Sequence, residues 1–236
     1  MAVQTERTFV NFMPGETRSC IGCHETPADS SVTSKVRPTA LNRAPSLPGP
    51  QIGETSGRRP LHYPADVQPV LDRHCISCHS EKDRKGGLDL TGRPTQFFCA
   101  SYENLLVERR GARKDRIDPG LVPTIGENHP KTGNVRYLPA RSLGSHNSLL
   151  IAMLAPGKVR FKGDAVRLAR LADTHKGLRL TPEELLKISN WVDTNAQYYG
   201  SYFGRRNLKY QGRPDFRPVP TWASAIGIPP FSREQP

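Results

Sequence analysis

The chain has 236 residues, a formal net charge of +12 and only 36% hydrophobic residues, while proline and glycine number 22 and 20. That length allows one generous domain or two small ones, and the apolar content is thin for a core built from side chains alone. No run of eighteen apolar residues occurs, which excludes a helical membrane span, and the scattered Lys and Arg, clustered only at 109–116 and 205–209, lack any recognition-helix pattern that would point to nucleic acid.

In chain order, the opening MAVQTERTFV is too polar for a secretory leader, and it runs into TFVNFM, Pro14-Gly15 and the stretch RSCIGCHE. Residues 27–60 hold six prolines and almost no periodicity, so an irregular wrap or linker is expected. A helix is predicted from Pro64 through YPADVQPVLDRHC. It puts Val67, Val70 and Leu71 on one face, tolerates Pro69 in its first turn, and feeds into the second cysteine motif, HCISCHS. A further helix is predicted over Ser101–Arg109, and residues 110–144 return to Gly/Pro-rich polar sequence.

SHNSLLIAMLA, 145–155, reads as capping residues followed by a buried helix. The clearest helix signal is TPEELLKISNWVDTNAQYYG, with Thr181 as N-cap, Pro182 at the first helical position and Glu184 completing a capping box. Leu185, Ile188 and Trp191 or Val192 form its apolar stripe, and Gly200 is its expected stop. Six more prolines lie in the tail between 211 and 236. RSCIGCHE and HCISCHS both spell C-x-x-C-H, the pattern of covalent haem c attachment, so the expected organisation is a first haem-attachment segment and Pro-rich wrap over 1–60, a helical cytochrome c-like domain with the second haem over 61–204, and a Pro-rich tail over 205–236. The expected fold class is mainly α and loop-rich, a c-type dihaem cytochrome domain with long irregular connections.

The haem reading rests on two motifs. Cys20, Cys23 and His24, then Cys75, Cys78 and His79, each spell C-x-x-C-H, the pattern of covalent haem c attachment. Two thiols three positions apart on a helical turn reach the two vinyl groups on one porphyrin edge, and the following histidine falls beneath the iron. A zinc ribbon would need a shorter loop than the 51 residues between Cys23 and Cys75, and has no use for a histidine after each pair. A redox dithiol would want a βαβ setting that the sequence lacks. Cys99, beside Phe97 and Phe98, reads as a small buried apolar residue.

Two covalent haems would supply the missing apolar bulk, and their propionates would offset part of the positive charge. For the sixth ligands, His175 stands out in a loop ahead of the 181–200 helix. His74 and His146 are weaker distal candidates: His74 precedes Cys75 and would reach a neighbouring haem instead, and His146 lies at the cap of a buried helix. His62, His129, Met13 and Met153 complete the pool.

PGETRSCIGCHE, YPADVQPVLDRHCISCH with GGLDLTG after it, SLGSHNSLL and HKGLRLTPEELLKISNWVDTNAQYYG together resemble the C-terminal haem-bearing region of hydrazine synthase alpha-subunit-like proteins. The second half is also similar to planctomycete-type cytochrome c domains. The resemblance extends over residues 9–204. It implies two haems on the six motif residues, His175 as distal ligand of the second, and a β-propeller domain or another haem protein as redox partner. In hydrazine synthase a tyrosine four residues after the first motif histidine binds the catalytic iron. Ala28 stands there in this chain, and Tyr63 is the one tyrosine considered as a substitute.

Covalent haem implies an extracytoplasmic location, with the export signal outside this chain. The expected function is electron transfer through the two haems. The alternative is a haem enzyme acting on small nitrogen compounds or peroxide, its first haem five-coordinate.

Overall fold

The computed structural model describes residues 49–106 and 143–199, together with 42, 44, 47, 120–124, 141 and the backbone of 109–110 and 117–118. The first motif, Cys20, Cys23 and His24, lies outside the described residues, as do Ala28, His129 and the tail after Tyr199. Apart from 42, 44 and 47, the described residues belong to one compact unit that takes in Gly49–Gly126 and Pro139–Pro236.

That unit is mainly helical. In chain order it has α1 (Tyr63–Asp66), α2 (Gln68–His74), α3 (Ala100–Leu106), α4 (Leu149–Leu154), α5 (Ala165–Thr174) and α6 (Pro182–Asp193), with 3-10 turns at Lys85–Gly87 and Gly144–Asn147. Two-residue strands Arg109–Arg110 and Ile117–Asp118 pair antiparallel. The helix predicted over 101–109 therefore ends at Leu106, and Arg109 lies in a strand.

The single helix predicted from Pro64 is divided in two, and Pro69 is the reason. In a continuous helix its ring would collide with the Ala65 carbonyl and its missing N–H would leave that carbonyl unbonded. The chain stops after Asp66, uses Val67 as a new N-cap, and restarts with Pro69 in the first turn of α2, where no N–H is needed. The helix over 145–155 is present but starts later than expected. A 3-10 turn takes Gly144–Asn147, and Ser148 is the cap of α4, its hydroxyl accepting from the Ile151 amide at 3.3 Å.

In α6 the capping box is complete: the Thr181 hydroxyl accepts from the Glu184 amide at 3.2 Å, and the Glu184 carboxylate accepts from the Thr181 amide at 2.9 Å. The helix ends at Asp193, well before Gly200. Asn195 takes a left-handed φ of 60°, the Asn195 amide donates to Val192 and the Ala196 amide to Trp191, which is the Schellman arrangement with asparagine in place of glycine. A helix not anticipated from the sequence, α5, occupies Ala165–Thr174. Its signal is visible in retrospect: Asp164 accepts from the Arg167 amide at 2.9 Å, and Leu168, Leu171 and Ala172 share the half-buried side.

The core gathers on α1, α2, α3 and α6. Tyr63, Val67, Leu105 and Trp191 are fully buried there, with Leu71, Ile188 and Val192 almost so. The Tyr63 ring lies 4.9 Å from Trp191 and 5.1 Å from Tyr102, centre to centre. The segment after α6 folds back over this cluster. Tyr198 accepts from the Tyr63 amide through its carbonyl, the Ala196 carbonyl accepts from the Tyr102 hydroxyl, and the Gln197 carbonyl from the Trp191 indole. The buried Cys99 thiol lies 3.2 Å from the Ser101 hydroxyl, inside a polar thread of Tyr63, Ser101 and Gln68. Its expected place as a small buried residue holds.

Candidate functional site: a paired-imidazole centre beside the second cysteine motif

The second motif continues the last turn of α2. Cys75 is the C-cap, its amide donating to Leu71, and the His79 amide donates back to the Cys75 carbonyl at 3.0 Å. The motif is thus wound as one turn, which brings both thiols and the histidine to one end of the helix.

The turn that follows sets the His79 ring. Gly86 and Gly87 adopt φ of 62° and 72°, conformations that cost other residues about 1 kcal/mol or more. They reverse the chain so that the Lys85 carbonyl lies 2.8 Å from His79 Nδ1. A carbonyl only accepts, so Nδ1 carries the proton and Nε2 of the neutral ring keeps a lone pair. Beyond the turn, GGLDLTG returns to the motif, and the Leu90 amide donates to the His79 carbonyl at 2.7 Å. Asp89 pins this return, accepting from the Thr91 amide and hydroxyl and from Arg93. Burial holds the His79 pKa below its ordinary value against the opposing pull of the Lys85 carbonyl, and the nearby His175 ring lowers it further.

His175 is the C-cap of α5. Its Nδ1 lies 2.8 Å from the Leu171 carbonyl, which also accepts from the His175 amide at 3.1 Å, so its Nε2 is again the lone-pair nitrogen. The element that orients His175 is therefore α5, rather than α6 as its place in the sequence suggests. The two rings come together across 96 positions of sequence. Their centroids are 6.0 Å apart and their planes differ by 7°.

That spacing is too wide for direct face contact between rings. It fits two imidazoles on one metal: with metal–nitrogen bonds of about 2 Å and a ring centre roughly 1.2 Å behind each nitrogen, the centroids fall about 6 Å apart. Holding each ring through an Nδ1–carbonyl bond is the usual second layer of a histidine ligand. Among the described residues no group of three or more His, Cys, Asp or Glu is placed to hold a metal ion.

Cys75, Leu88, Met153, Leu154, Val159 and Leu180 are among the partly exposed apolar residues packed against the core. Burial, with Asp72 and Cys78 adding to it, pushes the Cys75 thiol up to about 11. A raised thiol pKa runs against a redox dithiol, whose attacking cysteine needs a lowered one. The Cys75, Cys78, His79 and His175 set fits a covalently held haem.

The weaker candidates lie elsewhere in the unit. His74 Nε2 sits 3.1 Å from both carboxylate oxygens of Glu184. His146 is half-buried in the 3-10 turn before α4, two residues short of the cap that Ser148 supplies. The Tyr63 hydroxyl, fully buried, donates to Ser101 at 2.9 Å. Glu184 was expected only as a helix cap. It also receives Arg73 and His74 from the end of α2, a role no local sequence signal announces.

The Thr181 amide, then His74 and Arg73, hold the Glu184 carboxyl down at about 2. A depressed carboxylate stabilises the fold above its ordinary pKa of about 4.3 and loses that contribution as pH falls through the folded value. The thermal midpoint is thus expected to drop between about pH 4 and 2. A Glu184→Gln chain should show a shallower drop over that window, checked by thermal unfolding across pH, and identical slopes would refute the assignment.

The class these features define is a mainly helical, loop-rich chain with paired imidazoles at a C-x-x-C-H turn. Among known families, the model described as hydrazine synthase alpha subunit middle domain matches residues 1–25. The resemblance drawn above placed the likeness over 9–204 and in a C-terminal haem region. The match is to a middle domain and covers only the first 25 residues, a stretch that includes Cys20, Cys23 and His24. No curated protein matches the chain, and no solved structure does. No helix among the described residues is long and apolar enough to cross a membrane.

Proposed function

We propose that this chain is an electron-transfer module carrying two covalently attached c-type haems, one on Cys20, Cys23 and His24, the other on Cys75, Cys78 and His79 with His175 as its sixth ligand. The observation that carries the reading is the parallel His79–His175 pair, 6.0 Å apart, at the end of a C-x-x-C-H turn. When bound, the haem supplies a one-electron iron couple. The chain's own part is to fix the ligands. The Lys85 and Leu171 carbonyls hold both rings by Nδ1, so little rearrangement accompanies a change of charge. Two histidine ligands leave no open position for substrate and set a lower potential than a His/Met pair.

The partner is a redox protein, such as a β-propeller domain or another haem protein, and the compartment is extracytoplasmic, since haem c is attached there. The test is haem stoichiometry with absorption and electron paramagnetic resonance (EPR) spectroscopy on the holoprotein. Two haems per chain are expected, with sharp reduced α and β bands and a low-spin ferric signal from the second. Parallel ligand planes split the iron orbitals strongly, so that signal should be a well-resolved rhombic one. A single haem, or a second haem that shifts on adding carbon monoxide, defeats the reading.

A second reading is favoured by the family match over the first motif: a haem enzyme, acting on small nitrogen compounds or peroxide, with the first haem five-coordinate. It predicts that carbon monoxide shifts half of the haem absorption and leaves the other half unchanged.

A further inference from the structure

The Glu184 carboxylate is buried at the start of α6, its side chain 8% exposed, and it joins two segments that are remote in sequence. One oxygen accepts from the Thr181 amide at 2.9 Å, and His74 Nε2 lies 3.1 Å from both oxygens, with Arg73 bound to the same group. His74 is the residue before Cys75, so this contact grips the chain where the second motif begins. Thr181 ends the short connection from His175, which is itself tightened by the Leu178 amide donating to the His175 carbonyl at 2.8 Å and by Arg179 bonding the carbonyls of Lys176 and Leu178. One carboxylate therefore ties together the two segments that bear His79 and His175.

We propose that Glu184 and His74 are positioning residues that hold the two ligand-bearing segments at the separation iron requires, so that His74 acts on the centre through Glu184 rather than as a ligand. This rests on the bis-histidine reading of the second haem. The capping box alone does not explain the arrangement. A cap is satisfied by the Thr181 contacts, while the His74 and Arg73 contacts point away from the helix end to α2. Charge-assisted bonds of this kind are among the stronger ones, and here they span 110 positions of sequence.

The test compares three variants of the full-length holoprotein: His74→Ala, which cuts the tie and leaves the cap; Glu184→Gln, which can still cap but loses the charge; and Thr181→Ala, which weakens the cap and leaves the tie. The readouts are the ferric EPR signal and the fraction of the second haem that binds carbon monoxide. His74→Ala and Glu184→Gln are expected to raise that fraction at least about tenfold, the factor that losing one charge-assisted hydrogen bond supports, and to broaden the rhombic signal. Thr181→Ala should lower the thermal midpoint while both readouts stay as in the parent. His74→Gln, which keeps a donor, should recover part of the parent behaviour.

The proposal is overturned if His74→Ala lowers the midpoint yet stays inert to carbon monoxide with an unchanged signal, or if Thr181→Ala opens the centre equally. If Glu184→Gln yields no folded holoprotein, the His74 pair decides the matter alone. A parent protein whose second haem already binds carbon monoxide refutes the bis-histidine reading instead, and that outcome is distinct from either.

Discussion

If Cys75 and Cys78 carry the proposed haem, a His175→Ala holoprotein should keep it covalently bound, because the two cysteines lie on a different helix end and do not depend on α5 for their geometry. What it should lose is the sixth ligand. The low-spin ferric signal of that haem gives way to a high-spin one, and carbon monoxide, inert toward the parent centre, binds it stoichiometrically. His175→Met should restore six-coordination and move the potential upward by a part of the about 0.8 V range that axial ligands command. His146→Ala is the control and should leave the second haem unchanged. The measurements are EPR, carbon monoxide titration and a redox titration of the α band. A low-spin, carbon monoxide-inert His175→Ala protein would mean that another side chain binds the iron, and that the parallel rings are a coincidence of packing.

The second large effect concerns the core. Trp191 is fully buried, its ring packs against Tyr63 and Tyr102, and its indole N–H donates to the Gln197 carbonyl at 3.0 Å. Trp191→Ala should cost about 3–5 kcal/mol through lost contact and the void left behind, and for a unit of this size lower the thermal midpoint by roughly 6–20 °C. Part of the cost arises because the Gln197 carbonyl loses its donor, so Trp191→Phe should cost about 1 kcal/mol for the bond besides a smaller packing loss. Near-ultraviolet circular dichroism during thermal unfolding reports the change directly. A loss below about 1 kcal/mol for the alanine variant would show that the Tyr63–Tyr102–Trp191 cluster is not the centre of this core.

Glu184 links these two results. The same helix that buries Trp191 on one turn places Glu184 against His74 on its first, so the core and the paired rings are held by opposite ends of α6. Core variants that leave the fold intact should leave the ligand spectrum intact as well, whereas variants at the His74–Glu184 contact should alter it.

Much of this was legible along the chain because its causes are local. The second C-x-x-C-H turn, the Thr181–Glu184 capping box and Pro182 at the start of α6 are each decided by neighbours within four positions, and the structure repeats them. Local rules also failed locally. Pro69 divides a helix that periodicity alone runs together, Asn195 stops α6 before the glycine that looked like its end, and α5 went unanticipated although six of its ten residues are apolar, because none of them is fully buried. Proline sterics, a left-handed asparagine and a half-buried amphipathic stripe are weak signals against a Gly/Pro-rich background.

By itself the sequence marked the two C-x-x-C-H motifs, where the strongest helix begins, and that no run of eighteen apolar residues occurs. The sequence also singled out His175 for the second motif, but the tertiary structure alone decided that α5 carries it to His79, that His74 turns to Glu184, and that Tyr63 is committed to Ser101 in the core. Those pairings lie from 38 to 110 positions apart and follow no period. Only the packing of α1, α2, α3 and α6 around shared buried surface, with α5 set against α4, brings such residues within bonding distance, and no local propensity encodes it.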